Sequence, residues 1–132
     1  MAKPTGLFGA RVLTTLLAEG WAREQVELGI RAGFRCEYCG KDFLRSTDDW
    51  YSWQRDHIVP RAKGGSDRTS NKAVACYTCN FRLKGGYDPR EDAGAGASRA
   101  ALVAAVRRYV RRKRARVEKT QVIPTRRIVR PR

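Results

Sequence analysis

The stretch Arg55-Asp56-His57-Ile58-Val59-Pro60 holds the only histidine of the 132-residue chain. A Cys-x-x-Cys pair lies on each side of it, Cys36 and Cys39 before, Cys76 and Cys79 after, and Asn71 and Asn80 complete the set. Cleaving a phosphodiester requires an activated water, charge neutralisation at phosphorus and a stabilised leaving oxygen. A divalent cation supplies the last two. Histidine, with an unperturbed pKa near ~6.5, suits removal of the proton from water. Asp56 and Asn80 offer oxygen, which suits Mg²⁺ or Mn²⁺ better than a soft metal, and two protein oxygens leave positions open for water and phosphate. Neighbours on a strand point to opposite sides. Asp56 and His57 therefore serve one point only if the strand ends or bends beside them, as Pro60 and the glycine loop after it suggest.

The four cysteines suit a different ion. A structural zinc takes four ligands in a tetrahedron with Zn–S near ~2.3 Å, and each Cys-x-x-Cys turn presents two thiolates to one side of it. In a reducing compartment such pairs bind metal more often than they form disulfides. Free structural thiols, a redox pair and a rubredoxin-like iron site are the alternatives. The redox pair lacks its sequence context, and the iron site leaves Asp56-His57 unexplained. The knuckles are 36 residues apart, so the insert must fold back for its ends to meet. A zinc there clamps the base of the hairpin that carries His57.

The elements that position these residues are read from periodicity and turn formers. Residues 1–8, with Pro4 and Gly6, are expected to be disordered. Val12, Leu13, Leu16 and Leu17 mark one face of a helix over 9–19, stopped by Gly20. A second helix is expected over 22–31, ended by Gly33. Residues 34–38 read as a strand entering the first knuckle, where Gly40 allows a positive φ. Residues 41–49 read as loop with Asp48 and Asp49 solvated, and Trp50, Tyr51 and Trp53 as packing ahead of a strand over 55–59. The turn-rich loop 60–70 leads to a second strand over 72–76 and a short helix over 81–84, stopped by Gly85-Gly86. Residues 92–98, DAGAGAS, read as a flexible linker. Ser98 is placed to cap a long helix to about residue 119, and the segment beyond, with Pro124 and Pro131, reads as loose. The expected organisation is a helical segment over 1–33, a core over 34–90, a flexible linker over 91–98 and a basic helix and tail over 99–132.

The net charge is +15, and +10 of it falls within residues 91–132. That balance points to a polyanionic partner, nucleic acid before an acidic membrane. A solvated basic helix is the plain alternative. Arg55, Arg61, Lys63, Arg82 and Lys84 flank the proposed site as phosphate contacts, and Arg107, Arg108, Arg111 and Arg112 lie on the long helix. Such contacts position a protein on nucleic acid and do not read sequence. No run approaches ~18 apolar residues, so no membrane span is expected, and the short apolar run 12–18 is a helix face and not a signal peptide. The expected location is the cytoplasm, at the nucleoid if the source is bacterial.

The ordered pattern Cys36-x-x-Cys39, Asp56-His57-Ile58-Val59-Pro60, Gly64-Gly65, Asn71, Cys76-x-x-Cys79-Asn80 and Lys84-Gly85 resembles the HNH endonuclease family over about residues 31–86. The resemblance implies an α+β fold: a small ββα-metal core with a four-cysteine structural zinc, here flanked by N-terminal helices and a long basic C-terminal helix. It implies His57 as general base acting on a metal-bound water, and Asp56 and Asn80 as ligands of the catalytic divalent metal. Asn71 would brace the loop that holds His57. Asparagine at position 80, where many members have histidine, makes this the H-N-N variant and favours Mg²⁺ or Mn²⁺ over Zn²⁺ or Ni²⁺ at the catalytic position. The implied activity is metal-assisted DNA hydrolysis leaving 5′-phosphate and 3′-hydroxyl ends. RNA is a less expected partner than DNA. A non-catalytic zinc-stapled module that binds nucleic acid, and a basic RNA-associated protein, are the rival readings. Pathway, sequence preference, nick against double-strand break and oligomeric state are left open by the sequence.

Overall fold

The computed structural model describes residues 6–132. Residues 1–5 of the stretch expected to be disordered lie outside these, and Leu7 already opens a helix. Helix α1 (Leu7–Ala18) turns through Gly20, at φ 90°, into α2 (Arg23–Arg31), whose Val26 and Leu28 are buried. Trp21 lies between them. Its ring stacks on Trp53 at 5.4 Å and meets Trp50 edge-on at 5.0 Å. Aromatic rings carry the largest apolar areas in a core, so this cluster joins the N-terminal helices to the hairpin. The packing expected for Trp50 and Trp53 is found; Tyr51 is exposed.

The expected strand over 34–38 is reduced to one bridge between Arg35 and Asp42. The knuckle bends the chain too soon for a ladder: the Gly40 amide donates to the Cys36 carbonyl at 2.8 Å, with Gly40 at φ 80°. The loop expected over 41–49 contains α3 (Thr47–Trp50). Its N-cap is Ser46, whose hydroxyl accepts from the Asp49 amide at 3.1 Å. Asp49 is not simply solvated, because it pairs with Lys41 at 3.2 Å.

Strand β1 (Trp53–His57) runs antiparallel to β2 (Lys72–Cys76), in register from Trp53 opposite Cys76 to His57 opposite Lys72. β1 lies two residues earlier than the expected 55–59. It ends at His57 because the Val59 amide bonds the Asn71 side chain instead of a neighbouring strand. Every residue of β2 is buried. From β2 the chain enters a π-helix, Thr78–Lys84, closed by the Gly85 amide on the Asn80 carbonyl at 3.2 Å. Strand, loop, strand and helix form the hairpin-helix unit, with an antiparallel two-stranded sheet.

The C-terminal third differs most from expectation. α4 (Arg90–Ala93) and an ordered turn occupy the segment expected as a flexible linker. Ser98 caps α5 (Arg99–Val117), accepting from the Ala101 amide at 3.1 Å. Val103, Val106 and Val110 of α5 enter the same core as Phe43, Ile58 and Leu83. The Tyr109 ring stacks on Tyr87 at 3.9 Å. The basic helix is therefore one wall of the core. Helical winding continues through Glu118–Val122 into α6 (Ile123–Val129), in place of the expected loose tail. Pro124 is the second residue of α6. Among the described residues no helix is long and apolar enough to cross a membrane.

Candidate metal centre and active site

The fold brings the two knuckles together. The sulfurs of Cys36, Cys39, Cys76 and Cys79 lie within 4.8 Å of one another. A tetrahedron with Zn–S near ~2.3 Å has edges of about 3.8 Å, and Cys39 Sγ to Cys76 Sγ is 3.8 Å. Each knuckle turns a backbone amide onto its own first sulfur: Cys39 to Cys36 Sγ and Cys79 to Cys76 Sγ, both at 3.4 Å. Arg114 of α5 donates to Cys79 Sγ, also at 3.4 Å. Amide and guanidinium donors suit sulfurs that carry negative charge. Four mutually close, donor-supported sulfurs fit a structural zinc.

Asp56 lies 8% exposed on β1. Its Oδ2 accepts from the Tyr38 hydroxyl at 2.6 Å, and Lys84 Nζ stands 3.1 Å from Oδ2 and 3.4 Å from Oδ1. The same ammonium donates to the His57 carbonyl at 3.0 Å. Burial, then the Asp56 charge, pushes the Tyr38 phenol well above its usual range, so it stays a donor. The expectation of Lys84 as a phosphate contact is not met. At 2% exposure it is instead a buried counter-ion that ties the π-helix to the end of β1. Removing one partner of a buried pair strands the other charge, at about 3–5 kcal/mol. Lys84→Met is therefore expected to lower the unfolding free energy of the metal-loaded protein by that amount, read as a lower urea midpoint at unchanged slope; an unchanged midpoint would count against the pair.

His57 is the last residue of β1. Its Nε2 lies 2.9 Å from Asp67 Oδ1. Asp67 also faces Lys72 Nζ at 3.3 Å and Arg61 at 3.8 Å, and Lys72 continues to Glu24 at 2.6 Å. The hydrogen bond with His57, then those with Lys72, lowers the Asp67 carboxyl below the usual range, so it is ionised beside the imidazole. Asn71 braces the intervening loop. Its Oδ1 accepts from the Val59 amide at 2.9 Å, and its Nδ2 donates to the Val59 carbonyl at 3.0 Å and the Ser66 carbonyl at 2.8 Å. Gly65 fits only because it lacks a side chain, since a Cβ there would lie 1.8 Å from the Val59 oxygen.

Asn80 Nδ2 donates to Gln54 Oε1 at 2.7 Å, which leaves the carboxamide oxygen of Asn80 for other work. Gln54 and Asp56 are two apart on β1 and share a face. Asn80 thus serves the face of the strand that carries Asp56, whereas His57, still in register opposite Lys72, alternates to the other face with Arg55. A carboxylate has about four lone-pair positions, and Tyr38 and Lys84 take three of those of Asp56. The donor set, one carboxylate and one carboxamide oxygen, fits a hard divalent ion.

The remaining basic residues divide. Arg55 pairs with Glu24 at 3.0 Å and Arg107 donates to the Glu37 carbonyl at 2.6 Å. Arg61 and Lys63 stand 3.8 Å from Asp67 and Glu91, a loose separation for an ion pair. Arg82, Arg108, Arg111 and Arg112 are exposed. Tyr38, Gln54 and Asp67 join the site without any local sequence signal of their own. Residues 36–84, from the first cysteine to Lys84, match the family model described as HNH endonuclease. No curated protein matches the chain.

Proposed function

We propose, from the match of residues 36–84 to the HNH endonuclease family model, that the protein is a divalent-metal-dependent endonuclease that hydrolyses DNA phosphodiester bonds. The observation that carries the reading is the sole histidine, held at one ring nitrogen by an ionised carboxylate. With Nε2–H donating to Asp67, the lone pair lies on Nδ1. Nδ1 takes the proton of the attacking water, and Asp67 stabilises the imidazolium that forms. The oxygen attacks phosphorus, the P–O3′ bond breaks and the departing 3′-oxygen takes a proton from solvent water, leaving 5′-phosphate and 3′-hydroxyl ends. Asp56 and Asn80 would hold Mg²⁺ or Mn²⁺, which would supply charge neutralisation at phosphorus and at the leaving oxygen. Lys84 fixes both the Asp56 carboxylate and the backbone of His57. The four cysteines would hold a structural zinc beneath the hairpin. The test is nicking of supercoiled plasmid on addition of Mg²⁺ or Mn²⁺. Binding without cleavage, on duplex, single-stranded and RNA substrates alike, would favour a zinc-stapled binding module.

Bulk affinity comes from the exposed arginines of α5. Because α5 is a wall of the core, its contribution is tested by charge removal and not by deletion. Each phosphate that is no longer neutralised should flatten the slope of log K against log salt by about 0.9 on duplex DNA. The variant with Arg108, Arg111 and Arg112 all replaced by glutamine is expected to lose up to about 2.7 from that slope. An unchanged slope would remove α5 from the binding surface.

A further inference from the structure

The tryptophans are packed at the hairpin. Tyr77 and Phe81 are not. Their rings stack on each other at 5.2 Å and 15°, and they are 45% and 63% exposed. Tyr77 lies inside the second knuckle, between Cys76 and Cys79, with its amide on the Ser52 carbonyl at 2.8 Å. Phe81 is two residues past Cys79 and next to Asn80, and Arg82, exposed, follows it. A flat apolar face is thus held on rigid backbone beside a proposed metal ligand, in a chain of charge +15. Burying Tyr77 against Phe81 leaves the outer face of the Phe81 ring open. An aromatic face beside basic groups accepts nucleobases of any sequence, because every base has a π-face, whereas a paired and stacked base has none to give.

We propose that the Tyr77–Phe81 pair is a stacking platform for an unpaired nucleobase next to the phosphate at the Asp56–Asn80 metal site, so that the substrate class is DNA with a locally single-stranded segment. This rests on the nuclease reading for the position of the phosphate, but stacking itself needs no catalysis.

The test is fluorescence anisotropy of the full-length, zinc-loaded protein on a labelled single strand and on the duplex of the same sequence, without added Mg²⁺ or Mn²⁺. Phe81→Ala is expected to weaken single-strand binding by roughly 5- to 150-fold and duplex binding by less than about twofold. Phe81→Leu, apolar but without a ring, should behave like alanine, and Phe81→Trp should bind at least as tightly as the wild type. Equal losses on both substrates, no loss on either, or full retention by Phe81→Leu would overturn the platform. So would a shift from dimer to monomer in Phe81→Ala, which would mark the rings as an interface between copies. If Phe81→Ala loses zinc, the comparison of leucine with tryptophan decides. A platform that survives while plasmid nicking fails would leave the stacking proposal standing and the nuclease reading refuted.

Discussion

Alanine at Cys76 is expected to unfold residues 34–90. Cys76 ends β2 opposite Trp53, and its sulfur lies 3.8 Å from that of Cys39 across the two knuckles. Zinc binding to such sites carries about 10–16 kcal/mol of apparent free energy, against a net stability of about 5–15 kcal/mol for a whole domain. Cys36, Cys76 and Cys79 are also members of the core that includes Val106 and Val110. Losing the site therefore loosens the packing of α5 as well as the hairpin base. The readout is hydrogen exchange, with zinc counted per chain. Protection should vanish in β1 and β2 and fall in α5. A Cys76→Ala protein with the native exchange pattern would show that the core stands without the metal.

The second large effect is on chemistry. His57→Ala is expected to lower the rate of metal-dependent nicking by about 10²- to 10⁴-fold, the range for loss of a positioned general base. The imidazole is only partly buried and its ring bonds Asp67 on an exposed loop, so its removal should leave the zinc site and hairpin intact. This separates it from Cys76→Ala, in which both fold and activity are lost. A His57→Ala protein that nicks at the wild-type rate would assign the proton transfer elsewhere.

The parts of the fold governed by local chemistry are legible in the sequence. The strand Lys72–Cys76 follows residue for residue, α1 and α2 to within a residue or two, and the turn at Gly40 follows from the knuckle geometry. What escapes depends on partners far apart in sequence. Asp67 sits in PRAKGGSDRTS, where an aspartate reads as a turn former; nothing local marks its bond to His57 across ten residues. Lys84 precedes a diglycine, and lysine is rarely buried unless paired; only the fold brings Asp56, 28 residues earlier, to its ammonium. For α5 a signal is present. Val103, Val106 and Val110 recur at i, i+3 and i+7, an apolar stripe that predicts burial even on a strongly basic helix. The run of arginines around it, and the composition of DAGAGAS before it, mask that stripe and suggest an appendage on a linker.

We propose that this hairpin-helix unit hydrolyses DNA with His57 and a divalent metal. The most direct measurement is the nicking rate on supercoiled plasmid of wild type and His57→Ala, side by side, with and without added Mg²⁺ or Mn²⁺, at equal zinc content and equal far-ultraviolet circular dichroism. Nicking by the wild type only with added metal, and a loss of about 10²- to 10⁴-fold in the variant, are the expected results. Nicking that persists without added metal, or that is equal in the two proteins, would contradict the proposal.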